Sequence, residues 1–422
     1  MKKLVSMLLL VVMLLGIVGT SAVAEEPQKI TVAGLSWQIT KMFVEEAAAA
    51  YMEAHPGVEI EIATITDIAN IPTYAIDWAR GDTEVDILIN STASYAAQFV
   101  ANDLIYDFEE LGFYDRMPKD AFLGVGLDEA TVNGKLYGAP LIVESYAVNV
   151  NNAAAKEAGL WDEANDMAII PADWDAFYDM AEKLHKVEDG KVVQQGGVIQ
   201  WGVSTYATLI AAKQAMDGTI FDENGVMSFE SEGFRHMLEV WQKGAKNGVF
   251  SKETYSDNMA GRNSFKAGIT AMLFETGGAF VEANEALGEG TASLTGFPGA
   301  VDRGSIGFSS VMLIPKASQS PQLAMDFIIE GLLGEYVQTN TVNIYGKMPA
   351  VSEYFADANL KDWVFLQGIA DKSASMPKYK DAAKFTNEVP AILQAYLDET
   401  TTLDQCMEQL QALIDSLDKS EI

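Results

Sequence analysis

Across 422 residues there is one cysteine, Cys406, and there are three histidines, His55, His185 and His236. A lone thiol closes no internal disulfide, so thiol usage neither supports nor excludes an oxidising compartment, and such a residue is more often a buried apolar group than a reactive one. The histidines are isolated in sequence, and no HExxH run or paired-cysteine spacing offers a zinc site. No GxSxG elbow or Walker loop occurs, and Gly124-Val125-Gly126 lacks the third glycine of a dinucleotide loop. Positive charge is also scarce. Against 60 Asp and Glu stand 28 Lys and Arg, a formal charge of −32 that repels nucleic acid and anionic membrane surfaces. With so many acids, chance carboxylate pairs are unavoidable and none by itself marks a glycosidase. Internal repeats and low-complexity linkers are missing too. Together these absences argue against an enzyme, a cofactor, a metal centre and a nucleic-acid partner.

What is present begins with an export signal. Met1-Lys2-Lys3 is positive, Leu4 to Val18 is almost unbroken apolar chain, and Ala22-Val23-Ala24 carries small residues at the spacing of a signal-peptidase site. The run is shorter than the roughly 20 residues that span a bilayer, and Glu25-Glu26 follows at once. Residues 1–24 are therefore read as a cleaved signal peptide. No cysteine follows the apolar run to carry a lipid, so the mature chain is expected to be secreted or periplasmic, free in solution and monomeric. It is long enough for two domains of roughly 100–200 residues each.

The chain then reads as α/β. Ile30 to Ala33 is a β-prone run, Met42 to Tyr51 an Ala-rich helix closed by His55-Pro56-Gly57, and Val58 to Ile62 alternates as a strand does. Tyr74 to Arg80 reads as helix and Val85 to Ile89 as a buried parallel strand, completing a strand, helix, strand, helix, strand series. Further on, Trp174 to His185 is a helix with Asp173 as N-cap and an apolar stripe of Trp174, Phe177, Ala181 and Leu184. Gly233 to Lys243 and Pro321 to Leu333 read as helices, Ala271 to Phe274 and Val311 to Ile314 as strands, and Glu388 to Leu417 as helix interrupted at Thr400-Thr401-Thr402.

Asn133-Gly134-Lys135-Leu136-Tyr137-Gly138-Ala139-Pro140 is a hairpin whose glycines permit the turn, followed by an apolar strand to Asn149-Val150-Asn151-Asn152 and by Lys156-Glu157-Ala158-Gly159-Leu160. This string resembles the extracellular solute-binding proteins of ABC importers, in the group that includes maltose-binding protein; Val150 replaces the usual Tyr. Gly81-Asp82 with Val85-Asp86-Ile87, Pro171 to Leu184, Ser264 to Gly268 with Ala271-Met272, and Ile314-Pro315-Lys316 with Ala324 to Phe327 extend the likeness in order. The resemblance implies a two-lobed α/β fold with the ligand in a cleft between lobes. It puts lobe 1 at 25–143 plus 297–340 and lobe 2 at 144–296 plus 341–422. Chain crossings are implied near Ile142 to Val148, Gly296 to Pro298 and Asn340 to Tyr345. It also implies hinge closure over a small solute, most readily a sugar or oligosaccharide, and capture by ABC permease subunits in the membrane.

A sugar site needs aromatic platforms and polar side chains that both donate and accept. Trp37 and Gln38 follow the first strand, and Asn90, Ser91 and Tyr95 follow the strand ending at Ile89, although Ser91 is equally suited to cap a helix. Glu144 matches an acidic sugar contact of the family and is otherwise a hinge salt bridge; Tyr146 lies two residues on. Tyr206 resembles an aromatic platform. Glu275 and Gly277 match a strand-end loop in which Ala279 replaces the stacking Trp, with Phe280 or Phe274 as substitutes, and Tyr345 and Lys347 sit by the third crossing. Two other functions stay open here: the same fold binding a polyamine or other cation through Glu144 and Glu275, and an exported glycan hydrolase with carboxylates about 5–9 Å apart.

Overall fold

A computed structural model of the chain describes residues 27–90, 93–202, 205–257, 259–355, 361–379 and 382–419; the leader at 1–24 and Ser91 lie outside them. Strands β1 (Gln28–Leu35), β2 (Val58–Ile65) and β3 (Ile87–Asn90) alternate with helices, and β1 pairs in parallel with both others, at Ile30 with Ile60 and Val32 with Ile87. The first long helix spans Val44–Ala54 rather than starting at Met42, because Phe43 takes a left-handed φ of 55° that breaks the helical run.

The element that organises the molecule is β4 (Ala139–Asn151), buried at every position but Asn151. Thirteen residues at about 3.3 Å each carry it about 40 Å, long enough to belong to two sheets. It is entered through a hairpin turn in which Asn133 and Gly134 have φ of 50° and 75°. Gly138 is equally constrained: a Cβ there would lie 2.4 Å from Val311 Cγ1. The remaining long strands are β5 (Lys191–Ile199), β6 (Thr270–Thr276), β7 (Ala292–Thr295) and β8 (Ile306–Leu313). From Ala139 to Ser145, β4 pairs with β8, which joins β3, giving a first sheet ordered β2-β1-β3-β8-β4. From Tyr146 onward its partners are β6, which leads to β5, and on its other edge β7. The change of partners falls between Ser145 and Tyr146.

Each sheet has its own core. The first gathers Ile30, Val32, Leu88, Phe99, Phe113 and Leu313. The second is aromatic, with Trp174, Phe177, Trp241, Phe250, Phe274 and Phe297 in mutual ring contact, and it also encloses Cys406, whose thiol burial pushes up to about 12. The predicted cap and stripe are observed: Asp173 accepts from Ala176 N at 2.8 Å, and Trp174, Phe177, Ala181 and Leu184 are all buried. The C-terminal helices, Ala382–Leu397 and Leu403–Asp415, are separated by the threonines, and Thr402 caps the second. A third, smaller cluster of Val143, Ala147, Leu273, Phe280, Trp363 and Leu366 lies where β4 changes partners. Phe297, Ala300 and Ile306 pack in the second core, and Ala350 and Val351 in the first. Residues 297–306 thus contribute to the second core, and the chain beyond 341 contributes to both. In both places hydrophobic packing sets the division.

Candidate binding cleft

Several short segments meet where β4 leaves the first sheet. β6 ends at Thr276, and Gly277 N donates to Ser145 O at 2.8 Å, tying the following turn to the crossing point. Asn149 pins the helix after that turn: its Nδ2 donates to Thr276 O at 3.0 Å and its Oδ1 accepts from Phe280 N at 2.9 Å. The first lobe's Met348 pairs with Val143 on β4, which brings Gly346 and Lys347 alongside. Glu144, Ser145, Gly277, Gly278, Gly346 and Lys347 line one recess, backed by Trp363 and Leu366. The recess is closed in this structure, with no room for a water between its walls, and a Cβ on Gly277 would lie 2.6 Å from Leu366 Cδ2.

Charge fills the rest of this junction. The Lys347 ammonium pairs with Glu144 Oε1, both side chains about nine-tenths buried. Arg262, on helix Ala260–Lys266, donates from Nε to Glu275 Oε2 at 2.9 Å and from Nη2 to Glu275 Oε1. Its Nη1 lies 3.4 Å from Glu282 Oε1, and Lys266 Nζ lies 3.3 Å from Glu282 Oε2. Lys41, from the first-lobe helix Ser36–Lys41, reaches 4.0 Å from the same Glu282 and so links the lobes. Lys41 and Lys347 also stand over the Tyr345 ring at 5.5 and 5.7 Å. Burial opposes the Arg262 charge, yet Glu275, with Glu282 and Glu144, holds its pKa above the ordinary value. Burial likewise opposes ionisation of Glu282, but Arg262, Lys266 and Lys41 outweigh it and lower its pKa. Burial raises the Tyr345 phenol, and Glu144 adds to the effect, so it remains a neutral donor. The junction therefore presents ionised carboxylates, cations and a phenol, held in place before any ligand arrives.

Residues 46–367 match the sequence pattern of the bacterial extracellular solute-binding proteins. The chain belongs to that family. No curated protein matches it in sequence. Solved structures show the same fold: maltose-bound MalE3 of T. maritima (18% identical, TM-score 0.76, covering 92% of this chain and 99% of that one) and the sugar-binding protein MalE of Xanthomonas citri (17%, 0.76, 92% and 97%). An ABC substrate-binding protein of Listeria monocytogenes in complex with cycloalternan is similar at 16% identity, TM-score 0.72, over 92% and 98% of the two chains.

In this solute-binding protein five of the residues singled out from sequence come together: Glu144, Glu275, Gly277, Tyr345 and Lys347. Others do not. Gln38 is fully buried, its Oε1 accepting from Leu35 N at 2.8 Å and its Nε2 donating to Ser310 Oγ at 3.3 Å, so its amide shapes the end of β1. Tyr146 is 3% exposed in the second core, 6.0 Å from Phe308, because β4 has changed sheets one residue before it. Tyr206 packs edge-on to Phe385 at 6.2 Å. Trp37 is half-buried against the first core, and Asn90 is buried at the end of β3. Tyr95 is on helix Ala93–Ala101, and its side chain, like Ser91, lies outside the described residues. Neither substitute for the stacking Trp reaches the cleft: Phe280 packs 5.3 Å from Trp363, and Phe274 lies in the second core. Sequence reasoning missed Glu282, which carried no signal among so many acids, and Lys41, Arg262 and Lys266, whose one available signal was the rarity of cations in so acidic a chain. Among the described residues no cluster of His, Cys, Asp and Glu is arranged to hold a metal ion.

Proposed function

We propose that this solute-binding protein is the extracytoplasmic sugar-binding component of an ABC importer, holding a sugar or oligosaccharide in the cleft at Glu144, Lys347, Tyr345, Arg262 and Glu275 and closing over it. The observation that carries the reading is the set of preformed ion pairs at the point where β4 passes between lobes. Charged donors and acceptors fixed in place form strong hydrogen bonds to hydroxyls without reorganising, and the Tyr345 ring adds an apolar face with a donor at its edge. The Gly277-Gly278 turn has no side chains, which lets Leu366 and the Gly346-Lys347 segment pack directly against it and fixes the wall of the site. A ligand touching both lobes favours closure by its differential affinity for the closed form.

Maltose and cycloalternan in structures of the same fold support a saccharide. The polyamine alternative needs free carboxylates, whereas Glu144 and Glu275 are already engaged by Lys347 and Arg262. In this reading the first lobe comprises 27–145 with 307–351 and the second 146–306 with 361–419. The protein works as a secreted or periplasmic monomer and is captured closed by the permease subunits. A thermal-shift panel of mono-, di- and oligosaccharides beside polyamines and amino acids tests this, since a ligand at 100 times its Kd adds about 2.7 kcal/mol of stability. Stabilisation by saccharides supports the proposal, and stabilisation by polyamines alone overturns it.

A further inference from the structure

We infer that the saccharide this cleft takes is a sugar acid, its carboxylate received between Lys41, Lys347 and Tyr345. The inference rests on the sugar-binding reading above and adds the ligand's charge. The chain as a whole is strongly acidic, yet around this cleft the balance reverses: Lys41, Arg262, Lys266 and Lys347 stand against Glu144, Glu275 and Glu282. At physiological ionic strength charges more than about 8 Å away are largely screened, so the local set governs what enters.

The hydrogen-bonding capacity is just as lopsided. Both oxygens of Glu275 are taken by Arg262. Glu282 receives Arg262 on one oxygen and Lys266 on the other. Of the three carboxylates, Glu144 alone keeps an oxygen, Oε2, without a cation against it among the described residues. Donors, by contrast, are in surplus. The Lys41 side chain is about half exposed, its ammonium touches Glu282 only at 4.0 Å, and among the described residues no hydrogen bond holds it. The Lys347 ammonium has further hydrogens beyond its bond to Glu144, and the Tyr345 hydroxyl, kept protonated by its surroundings, has no hydrogen-bond partner among the described residues. Lys41 and Lys347 converge on the same Tyr345 ring.

A neutral sugar can accept from these donors through its hydroxyl oxygens, but it brings no negative charge to the surplus cation. A carboxylate accepts only, and hydrogen bonds between ionised partners are roughly twice as strong as neutral ones. Its arrival also gives Lys41, on the first lobe, a better partner than the distant Glu282 of the second.

The test is isothermal titration of the full mature chain with galacturonate and its di- and trimers, and with the matching neutral galactose series, in low-salt and physiological-salt buffer. The sugar acid is expected to bind at least tenfold more tightly than its neutral counterpart, with the advantage shrinking as salt rises. Lys41→Met is expected to cut that preference several-fold, while Lys29→Met, a cation on the far end of β1, leaves it in place. Equal or tighter binding of the neutral series overturns the inference and leaves the sugar reading standing. Binding of polyamines or amino acids with no saccharide of either series overturns both.

Discussion

Two glutamates near the crossing point, Glu282 partly buried and Glu129 fully so, live in opposite electrostatic settings. Glu282, at the cleft, is ringed by Arg262, Lys266 and Lys41, and its pKa is lowered despite burial. Glu129, on helix Gly124–Ala130, is 1% exposed, with one oxygen accepting from Met376 N at 2.9 Å and Lys378 as the cation that acts on it. Burial wins there and pushes Glu129 up to about 7. Burial also lowers the Lys378 pKa, against the pull of Glu129 and Asp128, and its ammonium is spent on the Asp128 and Thr131 carbonyls. Desolvation disfavours charge at both places; the number of cations in reach decides the protonation state. The cleft keeps its charges, whereas the other site gives its charge up near neutrality.

The largest expected effect comes from removing the cation that serves two acids. Arg262→Ala leaves Glu275 and Glu282 short of their principal partner, and denaturant unfolding should register a loss of about 3–5 kcal/mol. An unchanged midpoint would mean that the cleft acids are as easily neutralised as Glu129. Next is the pH response of Glu129. Because its folded pKa, about 7, lies above the ordinary 4.5, its contribution to stability is fully present below pH 4.5 and is lost as pH rises through 7. At 1.36 kcal/mol per pKa unit the loss approaches about 3 kcal/mol, and Glu129→Gln should remove that slope from a stability series between pH 4.5 and 8. Retention of the slope in the variant would assign it to other groups. Gly277→Ala should cost about 1–3 kcal/mol by pushing its methyl into Leu366, and should weaken ligand binding by moving the turn that lines the recess. The smallest effect belongs to the exposed pair Lys29 and Glu61, where Lys29→Met should leave the Tm unmoved within error.

How far the sequence could be read depended on how local each cause was. Helix Trp174–Leu184 was legible because its cap and stripe are written within a few residues, and the β1 to β3 series because each strand carries its own alternation or apolar run. The packing of Phe297 in the second core was not, since it is set by Trp174 and Phe177, both more than a hundred positions away. The burial of Tyr146 was hidden for a related reason: residues i and i+2 share a strand face, but β4 changes sheets between Glu144 and Tyr146, so one face meets the junction and then a core. Gln38 had the right chemistry for a sugar and is consumed by Leu35 and Ser310. Arg262 carried no local mark at all, because its meaning comes from the strand-end glutamate it meets in space.

Closure of the cleft over its ligand at the β4 crossing is the step on which the proposed function depends. Small-angle X-ray scattering of the full mature chain, with and without the saccharide giving the largest thermal shift, tests it most directly. A smaller radius of gyration is expected with saturating ligand, as the lobes draw together around Glu144, Lys347 and Tyr345. Saturation without any change in the scattering curve would contradict it.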